Sequence, residues 1–157
     1  MLDYNKAKEL FDYGVSIGQD VFYTPMYPEA VDICEKIGVN YYKIRFKDNN
    51  NSKLILKIWE INKPYFISCN NYLLMDHSRS NRLYCIPEYP ADFLDYYDIH
   101  DLYYNGVSDH CSNTDLLEYC LSECPEKEYF EKHICLTKDC LESEWSVTFE
   151  QLEVILK

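Results

Sequence analysis

A row of four aspartates is the strongest chemical signal in the chain. Asp92, Asp95, Asp98 and Asp101 recur at every third position. On a helix, residues three apart are neighbours about 5–6 Å apart at Cβ. The four carboxylates would then form a slowly spiralling row with a step similar to that of phosphates along a nucleic-acid strand. This row predicts a surface that enters a basic groove in place of a phosphate backbone.

Aromatic side chains alternate with this acidic row, and Glu88 precedes it. Aromatic anchors ringed by polar groups are common at protein interfaces. The alternative interpretation is a solvated acidic face above an aromatic core stripe. The predicted partner-binding residues are Glu88, Asp92, Asp95, Asp98, Asp101, Tyr96, Tyr97, Tyr103 and Tyr104.

The eight cysteines allow a second kind of site. Cys120 and Cys124 lie one helical turn apart, and His133, Cys135 and Cys140 follow, so these five side chains are candidates for a tetrahedral zinc site. The spacing is not that of a Cys-x-x-Cys knuckle. The favoured interpretation is therefore that the thiols are free, mostly buried and small enough to fill a helix seam, with no cofactor.

Histidine and aspartate stand side by side at Asp76-His77, His100-Asp101 and Asp109-His110. Such pairs bind divalent ions in phosphohydrolases, but nothing in their spacing brings them to one cavity. The chain also lacks a Gly-x-Ser-x-Gly elbow and a glycine-rich phosphate loop. We therefore predict no catalytic residues and a protein that is not an enzyme.

Periodicity predicts an α+β fold in a single domain, residues 1–157. N-terminal helices and a three- to four-stranded antiparallel β-meander occupy 1–87, and a mostly helical acidic half occupies 88–157. The predicted N-terminal elements are helices at Asp3–Ile17 and Pro28–Ile37 and strands at Tyr41–Lys47, Leu54–Ile61, Tyr65–Met75 and Arg82–Ile86. The predicted C-terminal helices are Pro90–Tyr97, Ile99–Tyr104, Thr114–Cys124, Pro125–Ile134 and one that Thr148 and Gln151 begin with a capping box.

Charge is concentrated in the second half of the chain. The net charge is −12, and residues 1–75 carry nine basic and nine acidic side chains that cancel. An acidic surface repels nucleic acid and anionic lipid and attracts basic proteins. The N-terminus has no signal-peptide pattern and no segment is apolar enough to span a bilayer. These features predict a cytoplasmic protein that binds neither nucleic acid nor membrane.

In size, acidity, Asn/Tyr/Lys/Ile-rich composition and lack of catalytic motifs, the chain resembles the small phage-encoded anti-CRISPR and anti-restriction inhibitors. No shared motif carries this resemblance, so it transfers no functional residue. It implies a non-enzymatic nucleic-acid mimic in the host cytoplasm that occludes a basic partner such as a nuclease. The alternatives are an immunity protein or antitoxin that neutralises a basic toxin, and a zinc-stabilised regulatory module.

Overall fold

The computed structural model describes residues 3–71 and 79–157. The Asp76-His77 pair and the end of the predicted strand Tyr65–Met75 lie outside the described residues. The chain divides into two units, one of residues 3–67 with 79–80 and one of residues 68–71 with 81–157. Among the described residues, no helix combines the length and the apolar character that crossing a membrane requires.

The first two helices of the first unit are confirmed. α1 (Tyr4–Ser16) begins where the Asp3 side chain accepts a hydrogen bond from a backbone N–H, as N-cap residues do. α2 (Pro28–Ile37) has proline in its first turn and ends at Gly38, whose φ of 100° is easily reached only by glycine.

The predicted strand Leu54–Ile61 is wrong, because this segment is the helix α3 (Ser52–Ile61). Its buried residues are Leu54, Ile55 and Ile58, which share one helical face. The side chain of Asn51 caps the helix by accepting from the N–H of Leu54 at 3.3 Å. A short apolar run fits a strand and a helix equally well by periodicity, and here the capping residue decides.

The predicted antiparallel meander is also wrong. β1 (Tyr42–Ile44) and β2 (Tyr65–Cys69) are parallel, with Tyr42 beside Tyr65 and Ile44 beside Ile67. α3 lies between them in the chain, and a connection that contains a helix returns the next strand in the same direction. The α+β fold class with a meander therefore gives way to parallel strands joined by helices.

Parallel strands also organise the second unit. Its three strands are β3 (Ser80–Cys85), β4 (Gly106–Asp109) and β5 (Tyr129–Lys132). They pair in parallel in this order, so that Ser108 of β4 lies between Cys85 of β3 and Glu131 of β5. A Cβ on Gly106 would lie 2.0 Å from the backbone oxygen of Tyr129, so only glycine permits this approach. The remaining elements are α4 (Asp115–Glu123), the parallel pair β6 (Ile134–Cys135) and β7 (Val147–Thr148), and α5 (Phe149–Ile155).

Three predicted helices of the second unit are absent, namely Pro90–Tyr97, Ile99–Tyr104 and Pro125–Ile134. The segment Pro90–Tyr104 holds two 3₁₀ turns, Phe93–Asp95 and Tyr97–His100, and the segment predicted as the helix Pro125–Ile134 contains β5 instead. Aspartate side chains bind nearby backbone N–H groups in turns, which competes with the helix: Asp92 accepts from Leu94 at 2.9 Å. The predicted helix after Thr148 and its capping box are confirmed.

The strands β3, β4 and β5 separate their side chains onto two faces. Tyr84, Val107 and Phe130 share a row and pack with the buried residues of α4; we call this side the core face. Because side chains alternate along a strand, the row of Cys85, Ser108 and Glu131 lies on the opposite side, which we call the polar face. Seven of the eight cysteines are buried, which confirms the prediction of mostly buried thiols.

Candidate functional site

Two histidines lie side by side at the carboxyl ends of neighbouring strands. His110 directly follows β4 and His133 directly follows β5, one position beyond the paired residues Asp109 and Lys132. Their ring centroids are 5.5 Å apart and their planes are inclined at 64°. Both residues continue the alternation of the polar face. The carboxyl ends of parallel strands are where α/β proteins collect their functional side chains.

The hydrogen bonds of the two rings define their tautomers. Nδ1 of His110 lies 2.8 Å from the backbone oxygen of Ile86, and Nδ1 of His133 lies 2.9 Å from Oε2 of Glu142. A carbonyl and a carboxylate only accept hydrogen bonds, so each Nδ1 carries a proton and donates it. Each neutral ring therefore keeps a lone pair on Nε2, and neither Nε2 has a hydrogen-bond partner within the described residues.

Burial keeps the more enclosed ring uncharged. It lowers the pKa of His110, and the neighbouring His133 lowers this pKa further. A neutral imidazole with an unprotonated Nε2 can act as a base or as a metal ligand. A carbonyl or carboxylate on the opposite nitrogen is the usual support for a metal-binding histidine.

Aromatic side chains flank the pair. The ring of Tyr89 stacks on His110, with centroids 4.0 Å apart and planes at 30°. Trp145 lies edge-on to Tyr89 at 5.4 Å and to His133 at 6.5 Å. Its Nε1 is a buried donor without an acceptor in the part of the chain that the structure describes. The site thus combines two imidazoles with an aromatic wall.

Tyr96 fixes the backbone from which His110 projects. Its hydroxyl donates to the backbone oxygen of Ser108 at 3.0 Å and accepts from the N–H of His110 at 3.1 Å. Burial raises the pKa of Tyr96 far above its ordinary value, so the hydroxyl keeps the proton that it donates. This side chain therefore holds the end of β4 in place.

A buried ion pair holds the ends of the two strands together. Asp109 and Lys132 are 0% and 5% exposed, and Oδ2 of Asp109 lies 2.8 Å from Nζ of Lys132. Lys132 also donates to the backbone oxygen of Cys111, whose own N–H donates to Oδ1 of Asp109 at 2.6 Å. These contacts set the register that brings His110 beside His133.

The chain is similar to known proteins in sequence and in fold. A family model described as the NeuB family matches residues 1–156. The chain belongs to the NeuB family. No curated protein sequence matches it.

Solved structures share the fold of this NeuB-family chain. An N-acetylneuraminic acid (sialic acid) synthetase from Leptospira borgpetersenii serovar Hardjo-bovis, in complex with citrate, has a TM-score of 0.88 at 18% identity over 99% of this chain. A putative spore coat polysaccharide biosynthesis protein E from Chromobacterium violaceum gives 0.83 at 22% over 99%. Spore coat polysaccharide biosynthesis protein spsE from Bacillus subtilis gives 0.77 at 16% over 94%. The chain covers 61%, 52% and 47% of those three chains.

Membership of the NeuB family corrects the predicted function. The prediction of a non-enzymatic anti-CRISPR or anti-restriction inhibitor is wrong, because the chain belongs to the NeuB family and shares its fold with proteins named as a sialic acid synthetase and as spore coat polysaccharide biosynthesis proteins. The predicted basic protein partner is wrong for the same reason. Net charge reports the sign of a surface and not the reaction that a site performs.

The residues predicted to bind a partner are dispersed over the turns that follow β3. Without a helix the four aspartates do not form one row. Tyr96 and Tyr104 are buried in the core, where they offer no contact area. Glu88, Asp92, Asp95 and Tyr97 are exposed, and Asp98, Asp101 and Tyr103 are half-buried.

The five residues predicted to bind zinc fall into three places. His133 contacts Glu142, Cys135 contacts Cys140, and Cys120 contacts Cys124. No cofactor is shown directly. Within residues 3–71 and 79–157, one group of three ligating side chains comes together: His100, Cys124 and Glu126 have ligand atoms within 4.8 Å of one another.

Sequence reasoning missed His110, Glu142 and Trp145 as site residues. The signal was present but weak. Two short alternating segments, one ending in Ser-Asp-His and the other in Glu-Lys-His, each place an acidic or basic residue directly before a histidine. Reading both segments as buried strands would have placed the two histidines at adjacent strand ends.

Proposed function

We propose that this chain provides active-site residues of an enzyme that synthesises a sugar acid of the sialic acid type. The observation that carries the proposal is the pair His110 and His133 at neighbouring strand ends. It is supported by the match to the NeuB family and by the fold shared with a sialic acid synthetase. The chain spans about half to three fifths of the solved relatives, so other parts of such a protein would complete the site.

The aromatic wall favours a sugar as the bound molecule. The C–H faces of a sugar ring pack on aromatic rings, and its hydroxyl groups hydrogen-bond to nearby polar atoms. Tyr89 and Trp145 offer the rings. In this proposal His110 and His133 lie where the polar edge of the substrate would be.

The histidine pair also fits a divalent metal ion. Both rings keep Nε2 unprotonated, and both are oriented through Nδ1 by an oxygen acceptor, as is usual for ligating histidines. His110 and His133 would then be two of the ligands. An ion held there supplies Lewis-acid chemistry toward a carbonyl or phosphoryl oxygen. Glu142 would keep His133 oriented, and Tyr96 would keep His110 in place.

Activity measurements on two variants test the proposal. The protein that contains this chain is incubated with a small-molecule extract of sialic-acid-producing bacteria and a divalent metal salt. Newly formed N-acetylneuraminic acid and related sugar acids are measured by mass spectrometry. We expect His110→Gln and His133→Gln each to reduce product formation by at least about 100-fold. Mutating a residue that only supports a ligating histidine typically costs about 10–100-fold in metal affinity or activity, and replacing the histidine itself should cost at least as much.

Glu153→Gln is the matched control, because it introduces the same amide side chain in the same unit, at a position that is 70% exposed and lies outside the proposed site. It should retain product formation within about twofold, the size expected away from the chemistry. Circular dichroism confirms that all three variants fold. Equal activity of the folded His110→Gln and His133→Gln proteins with the wild type would contradict the proposed function.

A further inference from the structure

We propose that His100, Cys124 and Glu126, with Cys120 as fourth ligand, form a structural zinc site at the carboxyl end of α4. This site lies apart from the strand ends that carry His110 and His133, and the reaction proposed above does not use it. The inference rests on ligand geometry, on the turns that converge there and on the softness of the ligand set.

The distances between the ligand atoms suit a tetrahedral ion. Sγ of Cys124 lies 3.7 Å from Nδ1 of His100. Zinc bonds of about 2.3 Å to sulfur and about 2.0–2.1 Å to nitrogen at a tetrahedral angle separate the two ligand atoms by about 3.6 Å. A carboxylate oxygen of Glu126 completes a group in which all ligand atoms lie within 4.8 Å of one another. The three side chains therefore need little movement to bind one ion.

Backbone turns bring the three residues together from separate segments. Cys124 caps α4, and its N–H donates to the oxygen of Cys120 at 3.1 Å. The chain then turns, with the N–H of Lys127 donating to the oxygen of Cys124 at 3.0 Å, so Glu126 stays beside the thiol. Nζ of Lys127 donates to the backbone oxygens of Asp101 and Tyr104, which ties this turn to the segment that follows His100.

A second hydrogen bond orients the imidazole. Nε2 of His100 lies 2.9 Å from the hydroxyl of Tyr119 on α4. With Nε2 engaged by a neighbouring side chain, Nδ1 faces the thiol of Cys124. Support of one ring nitrogen by an outer residue while the other binds the ion is the usual arrangement at zinc sites.

Cys120 is the candidate for the fourth ligand, although its Sγ is not among the ligand atoms that lie within 4.8 Å of one another and its side chain would have to rotate to reach the ion. Cys120 lies one helical turn before Cys124 and its thiol contacts the Cys124 thiol. Two thiols, an imidazole and a carboxylate form a set that favours zinc over magnesium or calcium, which prefer oxygen ligands.

Cobalt substitution tests this site directly. Co²⁺ bound to thiolate sulfur gives an intense charge-transfer band that nitrogen or oxygen ligands alone do not give. We expect the wild-type protein to show this band and to bind one equivalent of Co²⁺ through thiolate. Cys124→Ser should reduce the intensity of the band by at least half, because it removes one of the two thiolates, and His100→Gln should weaken Co²⁺ binding at least tenfold.

Thermal unfolding gives a second readout. Saturating Zn²⁺ should raise the Tm of the wild type by about 5–10 °C, because a ligand that binds only the folded state stabilises it, and the gain grows with the logarithm of its concentration over Kd. The Cys124→Ser and His100→Gln proteins should show less than half of this increase.

Two control variants separate this site from the others. Cys140→Ser removes an exposed thiol of the same unit, and His133→Gln removes an imidazole of the proposed active site; both should keep the charge-transfer band. If Cys124→Ser fails to fold, Glu126→Gln tests the proposal instead. Because Glu126 is exposed, this variant should keep the fold and lower the Zn²⁺ affinity at least tenfold. A band of undiminished intensity in folded Cys124→Ser, or unchanged Zn²⁺ affinity in both His100→Gln and Glu126→Gln, would overturn the proposal.

Discussion

The two faces of the strands β3, β4 and β5 differ in what their side chains do. The core face carries Tyr84, Val107 and Phe130 into the apolar cluster with α4. The polar face carries Cys85, Ser108 and Glu131, and its continuation beyond the strand ends carries the two histidines. Alternation along a strand thus assigns adjacent residues to different tasks. Asp109 and Lys132 hold the strand ends together, whereas His110 and His133 carry the chemistry in the function that we propose.

The largest effect on stability is expected from Asp109 on the core side. Asp109→Asn leaves the ammonium of Lys132 buried without its counter-charge, and breaking a buried ion pair costs about 3–5 kcal/mol. Urea denaturation measures the free energy of unfolding. Asp95→Asn, which makes the same substitution at an exposed carboxylate of the same unit, is the control and should change stability by less than about 0.5 kcal/mol.

A double variant sharpens this test. If the cost comes from the uncompensated charge, Asp109→Asn combined with Lys132→Met should recover part of the lost stability. If Asp109→Asn lowers the free energy of unfolding by less than about 1 kcal/mol, the ion pair of Asp109 and Lys132 does not stabilise the strand ends as we infer.

A smaller effect is expected from Tyr96, which anchors the end of β4. Tyr96→Phe keeps the ring in the core and removes only the hydroxyl that joins Ser108 and His110. We expect a loss of about 1–3 kcal/mol, the cost of leaving buried hydrogen-bonding groups unsatisfied. Tyr97→Phe is the matched control, because the neighbouring Tyr97 is 77% exposed and should change stability by less than about 0.5 kcal/mol. Equal stability of the two variants would show that the hydroxyl of Tyr96 does not anchor the strand.

Local signals in the sequence predicted the elements that local interactions determine. α1, α2 and the capping box of α5 were predicted because their caps and apolar spacing lie within a few residues of one another. The helix α3 was missed because its apolar run suits either structure, and the strand β5 was missed because its alternation spans only four residues. With α3 read as a strand, parallel pairing could not be predicted.

The candidate site depends on a contact that no local pattern encodes. His110 and His133 become neighbours only through the register of β4 and β5, and the sequence separates them by a turn and a helix. The acidic row drew attention instead, since its spacing was regular. That regularity had meaning only on a helix, and the turns at Asp92–Asp101 remove it.

The ring nitrogens of His110 and His133 offer the most direct test of the histidine pair. Long-range ¹⁵N–¹H NMR spectra of the imidazoles report which nitrogen carries the proton and which one meets an added ion. We expect both rings to carry the proton on Nδ1 and Zn²⁺ to shift both Nε2 resonances together. A proton on Nε2 of either ring, or a response to Zn²⁺ in only one of them, would contradict this expectation.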